Sequence, residues 1–205
     1  MSERQTTAVD VSTARLEAFS DGVIAIIITI MVLDLKAPGQ ATAAALLAEW
    51  PTFLSYALSF LLIAIYWVNH RHVVRYTRRV SPGLLWANML VLFTLSLIPL
   101  ATAWLGDHLT SPVPNVVYGL VLIAGALSFL LLAEIVYRQN RGHPELAFAI
   151  HRERIKAMIT LTAYAIITIL SAFLPGAILA GSGLAALMYF TPTPADARPR
   201  PHRDS

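Results

Sequence analysis

Arg15, Ser20 and Asp21 form a compact polar group at the edge of a long apolar run. Residues 22–33, just beyond it, are almost purely aliphatic. A charge at the rim of a membrane-length helix is costly, and it needs a partner or a task. Two readings compete. In the ordinary one, Arg15 snorkels to the surface and Asp21 sits in the first turns, where the helix dipole favours an anion. In the functional one, the group ties its helix to its neighbours by hydrogen bonds. A buried carboxylate needs donors at its own depth, because an unpaired charge in apolar surroundings is prohibitive. Trp67, Asn69, His70 and His72 end the second apolar segment, and Trp86 and Asn88 begin the third, all on one side of the membrane.

Within the run, Phe19, Ile26, Ile30 and Leu33 share one side of a helix, and Asp21 points to nearly the opposite side. An aliphatic stripe of this kind is usually packing core or lipid face. Thr29 sits beside the stripe. Its simplest role is a hydroxyl bonded to the carbonyl of Ala25, four residues back. Asp34 closes the run, as a solvated end charge or as part of a carboxylate ring that concentrates cations.

The remaining candidates are weaker. His70, His72, His143 and His151 all fall on one side of the membrane, but the chain has no cysteine, and His-x-His at a helix end is usually interfacial. We therefore expect no metal site and no cofactor. Glu134 needs a partner, and Arg138 four residues on is the simplest; a proton relay is the alternative. Gly176, Gly181 and Gly183 read as close-packing positions. The chain carries no P-loop, nucleophile elbow or HExxH pattern, so an enzyme is not expected.

The elements that must position these residues follow from composition. Of 205 residues, 57% are hydrophobic and 13% charged, where a soluble domain carries about 25% charged. With a mean hydropathy of +0.64, the chain reads as an all-α integral membrane protein. Its net charge of +3 is not a nucleic-acid footprint, since the basic residues sit in short loops. Six apolar segments are expected, near residues 15–35, 43–73, 82–105, 113–138, 154–174 and 175–190. The last is short and follows the fifth almost without a loop, as in a tight hairpin. Residues 139–153 read as a charged connector. Residues 1–13 and 191–205 read as flexible ends flanking a transmembrane domain over 14–190, and the first of them has no apolar core of a signal peptide.

Loop charge sets orientation. Fourteen of the fifteen Lys and Arg fall in alternate loops and termini, and only Lys36 lies opposite. By the positive-inside rule both termini are cytoplasmic, and the number of spans is even.

The spacing Arg-x-x-x-Phe-Ser-Asp, met at Arg15–Asp21 and followed by an apolar helix with Asp34 and Pro38, resembles the first transmembrane helix of the transmembrane protein 175 family. Those are lysosomal and bacterial potassium-permeable channels without a TVGYG filter. The animal form has two such repeats; one is found here, as in the bacterial form. The resemblance implies a homotetramer with its pore lined by the first of six helices per subunit, set in the cell membrane, and K+ as the permeant ion. It implies a constriction at Ile26, Ile30 and Leu33, and cation preference at Thr29. It implies a network of Arg15, Phe19, Ser20 and Asp21 with polar and aromatic residues of the second and third helices, here His70, Trp86 and Asn88. The rivals are a proton-coupled secondary transporter or proton leak pathway, and a membrane enzyme using the histidines. The first helix has no internal proline to break it for a midplane substrate site.

Overall fold

The computed structural model describes residues 3–189. All regular structure among them is helical. The elements are α1 (Glu3–Ile30), a 3-10 turn (Met31–Asp34), α2 (Ala43–Ala48), α3 (Trp50–Arg75), α4 (Pro82–Ser96), α5 (Ile98–Asp107), α6 (Pro112–Gln139), α7 (Pro144–Ser171) and α8 (Ala177–Leu187). Five stretches are long and apolar enough to cross a membrane: Thr13–Asp34, Trp50–Arg75, Pro82–Asp107, Pro112–Gln139 and Pro144–Ser171.

Local chemistry accounts for the boundaries. Ser81 caps α4 by accepting from the Leu84 amide, and Pro82 follows it in the first turn. Pro99 interrupts the third span, because it has no N–H to donate to the preceding turn. The span therefore continues as two helices, α4 and α5. Thr42 caps α2 through the Ala45 amide. Pro51, in the first turn of α3, marks a fresh helix start, so the expected second segment of 43–73 divides at Glu49.

Three other boundaries differ from expectation. Helix α1 begins at Glu3, well before Arg15. The expected connector over 139–153 is mostly helix, because α7 starts at Pro144. Its early turns are amphipathic, and Ile150 is fully buried. The sixth segment forms only α8, eleven residues, or about 16 Å of rise, which is half a bilayer core. The expected tail over 191–205 lies outside the described residues.

Helix α8 folds back along α7. The chain reverses through Gly176, whose φ of +89° needs a residue without a Cβ. The amide of Gly176 donates to Asn115 Oδ1 at 2.8 Å, pinning the reversal to the start of α6. Tyr189 then bonds Thr160, midway along α7, at 2.9 Å between hydroxyl oxygens. Close helix approach rests on glycine. A Cβ on Gly119 would overlap the Thr168 side chain, and one on Gly181 would lie 2.6 Å from Ile167. Small residues at such crossings replace a hydrophobic driving force that lipid does not supply.

Two apolar cores fill the bundle. One joins α1, α3, α4, α6 and α7 through Ile24, Ile27, Ile63, Leu95, Leu132 and Ile150. The other joins α3, α5, α6, α7 and α8 through Leu62, Leu105, Tyr118, Leu122, Tyr164 and Ile178.

The basic loops gather at one end. The Arg78 and Arg79 amides both donate to Gln139 Oε1 at 3.2 Å, and Asn140 Nδ2 donates to the Tyr76 carbonyl at 2.9 Å. These bonds tie the loop after α3 to the end of α6. The Asn115–Gly176 bond marks the opposite end.

Candidate pore helix and its polar anchor

Helix α1 has two unlike faces. Leu16, Ser20, Ile24, Ile27 and Met31 are buried against α3 and α4. Phe19, Ile26, Ile30 and Leu33 are exposed, the last at 77%. On a helix wheel the exposed four lie within about 60° of one another, and their centre is about 110° from the buried set. Arg15 and Thr29 are exposed with them, and Ala18, Gly22 and Ala25 continue the same bare surface.

The polar anchor holds the other side. Trp67 Nε1 donates to Asp21 Oδ1 at 2.7 Å. Arg71 Nε donates to Glu17 Oε1 at 3.1 Å, and its guanidinium lies 5.2 Å from the Trp67 ring centroid. Between these contacts runs a fully buried chain. His70 Nε2 bonds Asn88 Oδ1 at 2.7 Å, Asn88 Nδ2 donates to Ser20 Oγ at 3.0 Å, and Ser20 Oγ donates to the Leu16 carbonyl at 2.9 Å. An oxygen acceptor fixes the tautomer with the proton on Nε2, so His70 Nδ1 is left buried without a partner.

The spacing explains how two antiparallel helices meet so fully. Glu17, Ser20 and Asp21 stand at i, i+3 and i+4 on α1, and Trp67, His70 and Arg71 repeat that spacing on α3. Run antiparallel, 17 meets 71 and 21 meets 67, while 20 and 70 are bridged by Asn88 from α4. Positions three and four apart share a helix face, so each triplet acts as one surface.

The structure therefore brings together Ser20, Asp21, His70 and Asn88. It does not bring in the other three residues expected in this network. Arg15 and Phe19 sit on the bare face, and Trp86 is 76% exposed on α4. Arg15 makes no hydrogen bond or ion pair among the described residues. Glu17 and Arg71 were not expected in the anchor, and Trp67 was only one donor among several. The repeated triplet was the signal that could have found them.

The hydroxyl of Thr29 donates to the Ile26 carbonyl at 3.0 Å, three residues back, and not to Ala25. That bond uses its hydrogen and leaves its oxygen lone pairs on the exposed face. Asp34 is exposed at the end of the 3-10 turn. Asn69 bonds its own helix at the Ile65 carbonyl, and His72 is exposed. Glu134 pairs with Arg138 as expected, and also with Arg154 of α7.

The chain is similar to several known proteins. The profile of the family described as "Endosomal/lysosomal potassium channel TMEM175" matches residues 15–99, which hold all of α1 from Arg15 onward, its anchor and α4. A potassium channel of Chryseobacterium sp. (strain P1-3) is 40% identical over 178 residues, covering 87% of this chain and 92% of its own. The crystal structure of a lysosomal potassium-selective channel TMEM175 homolog from Chamaesiphon minutus superposes with a TM-score of 0.69 at 27% identity, covering 87% of this chain and 98% of that one. The human endosomal/lysosomal proton channel TMEM175 is 33% identical over 102 residues, 44% of this chain and 20% of its own length. The chain belongs to the TMEM175 family of potassium channels.

Proposed function

We propose that this chain is a potassium-permeable cation channel, conducting passively through a hydrophobic constriction made by four copies of α1. The observation that carries the reading is the uncovered face of α1: Phe19, Ile26, Ile30 and Leu33 are left bare while the opposite side is packed and hydrogen-bonded. One helix encloses nothing, so a pore on this face needs a closed ring of subunits, and the family resemblance makes that ring a homotetramer. The bare surface suits the task. Its large half, Ile26, Ile30 and Leu33, faces the axis. Its small half, Ala18, Gly22 and Ala25, lets the neighbouring α1 approach.

Isoleucine and leucine rings offer no carbonyl cage. They act by dewetting, or by passing a hydrated ion when the bore is wide. Discrimination then falls to Thr29, whose free lone pairs replace part of an ion's hydration. Ser20, Asp21, Trp67, His70 and Asn88 fix the rotation of α1 about its own axis and so decide which side chains reach the pore. The basic end of the bundle lies in the cytoplasm of the cell. Helix α8 serves as the sixth crossing that the loop charges call for, and returns the chain to that side.

Proton permeation is a second reading, favoured by the human relative's description as a proton channel. Both readings are tested on purified protein in liposomes under imposed K+, Na+ and H+ gradients. Electrogenic K+ uniport above Na+ is the expected result. Flux of H+ alone would favour the second reading, and saturable counter-transport would overturn both.

A further inference from the structure

Glu134 lies near the basic end of α6, between two guanidiniums. Arg138 Nε is 2.7 Å from Oε1, and Arg154 Nη2 is 2.5 Å from Oε2. The second contact is a close ion pair without hydrogen-bond geometry, since Oε2 makes no hydrogen bond. Next along the helix, the Tyr137 ring stands beneath two cations, with Arg154 at 4.4 Å and Arg141 at 5.9 Å from its centroid. Three guanidiniums gather around Glu134 and Tyr137 against one carboxylate, so among the described residues two positive charges are uncompensated. The nearby Glu153 does not offset them, because it is paired with Lys156 at 3.3 Å. Arg138 and Arg141 are both exposed.

The surface leading to this cluster is apolar. Leu120, Leu127 and Leu131 are each about half exposed. They lie within about 60° of Glu134 and Arg138 on the wheel of α6. An acyl-length apolar stripe thus ends in a pair of excess cations at the depth where a membrane surface begins. A small soluble anion would use the charges and ignore the stripe.

We propose that this end of α6 and α7 binds an anionic phospholipid. Its phosphate sits on Arg138 and Arg141, and an acyl chain lies along Leu131 and Leu127. Guanidinium forks match phosphate oxygens in pairs, and the Glu134 pairing holds the Arg138 side chain ready. Basic pockets between helices on the cytoplasmic side suit such head groups. The assignment is independent of which helix lines the pore.

The test uses the full chain purified in neutral detergent, with lipid binding followed by native mass spectrometry. Phosphatidylglycerol, phosphatidylcholine of the same acyl chains and inorganic phosphate serve as probes. Phosphatidylglycerol should be retained selectively, and retention should fall with added salt. Arg138→Gln with Arg141→Gln should weaken it roughly 20–30-fold, at about one interfacial charge's contribution per arginine. The matched pair Arg75→Gln and Arg79→Gln, in the other basic loop, should leave it unchanged. Arg141 makes no ion pair among the described residues, so Arg141→Gln alone tests the site without loosening the helices, with a loss of roughly fivefold expected. Equal retention of the two lipids, equal weakening by both double variants, displacement by inorganic phosphate at matched concentration, or an unchanged Arg141→Gln would each overturn the proposal.

Discussion

Asn88 spends its amide in two directions, accepting from His70 and donating to Ser20, so three helices share one side chain. Asp21 is simpler: one indole N–H at 2.7 Å is its hydrogen bond. A bond to a charged acceptor contributes about 1.5–3 kcal/mol when sealed. Asp21 and Trp67 are half-buried, so we expect about 1–2 kcal/mol from Trp67→Phe, which keeps the ring and removes the donor. Thermal unfolding in detergent measures it, and an unshifted midpoint would leave Asp21 as an ordinary helix-end charge. At Thr29 the backbone bond and a role toward ions are compatible, since one uses the hydrogen and the other the oxygen. Thr29→Val keeps the shape and removes the oxygen. We predict continued flux with a reduced preference for K+ over Na+ in liposomes, and an unchanged preference would confine the hydroxyl to its backbone bond.

At the scale of elements, the long helices divide the work. Helices α4, α5 and α6 carry the deepest packing, and α1 is held on one side only. Of the crossings made at glycines, the tightest lies between α6 and α7, where Gly119 faces Thr168. Gly119→Ala forces those helices apart, and overpacking of this kind typically costs about 1–3 kcal/mol. Gly83→Ala, on α4 and away from the bare face of α1, is the control, because nothing stands within 4 Å of a Cβ there. Equal unfolding midpoints for the two variants would mean that the α6–α7 contact gives way freely. Two of the three consecutive isoleucines on α1 make a similar contrast. Ile26 is 61% exposed and Ile27 is 3% exposed. Ile27 therefore belongs to the core, and substitution there reports on packing, not on the pore.

For the whole molecule the question is what covers the bare face of α1. In a ring of four, each substitution alters the lining four times over. Ile26→Asn or Ile30→Asn should wet the constriction, raising conductance and weakening selectivity. Cysteines placed singly at 26, 30 and 33 should be modified by water-soluble thiol reagents with block of current, and no native cysteine interferes. If reagent reaches none of the three in a conducting protein, that face meets lipid and the pore lies elsewhere. Topology is tested separately. Reporter fusions after Arg79, Arg152 and Ser205 should read cytoplasm, and one after Gly106 the outside. An outside signal at Ser205 alone would mean that α8 turns back without crossing.

Much of this was legible from the chain by itself. Apolar runs of membrane length, the alternation of Lys and Arg between loops, and the Phe19–Leu33 stripe depend only on local composition and helical period. They hold whatever the helices pack against. The polar group at Ser20 and Asp21 announced a need for partners, because charge and hydroxyl in apolar surroundings cannot be left unpaired. Tertiary structure decided who those partners are. Asn88 and His70 lie 18 residues apart, and Ser20 is 68 residues from Asn88; only packing brings them within bonding distance. It set aside Arg15, Phe19 and Trp86, which share the right depth but point outward from the bundle. Depth follows from position along a span, whereas rotation about the helix axis follows from the neighbours. It also fixed the short sixth segment, where Gly176, Asn115 and the Thr160–Tyr189 bond hold α8 back along the second half of α7. Hydropathy counts apolar residues, but the length of a helix depends on where its last backbone groups find partners.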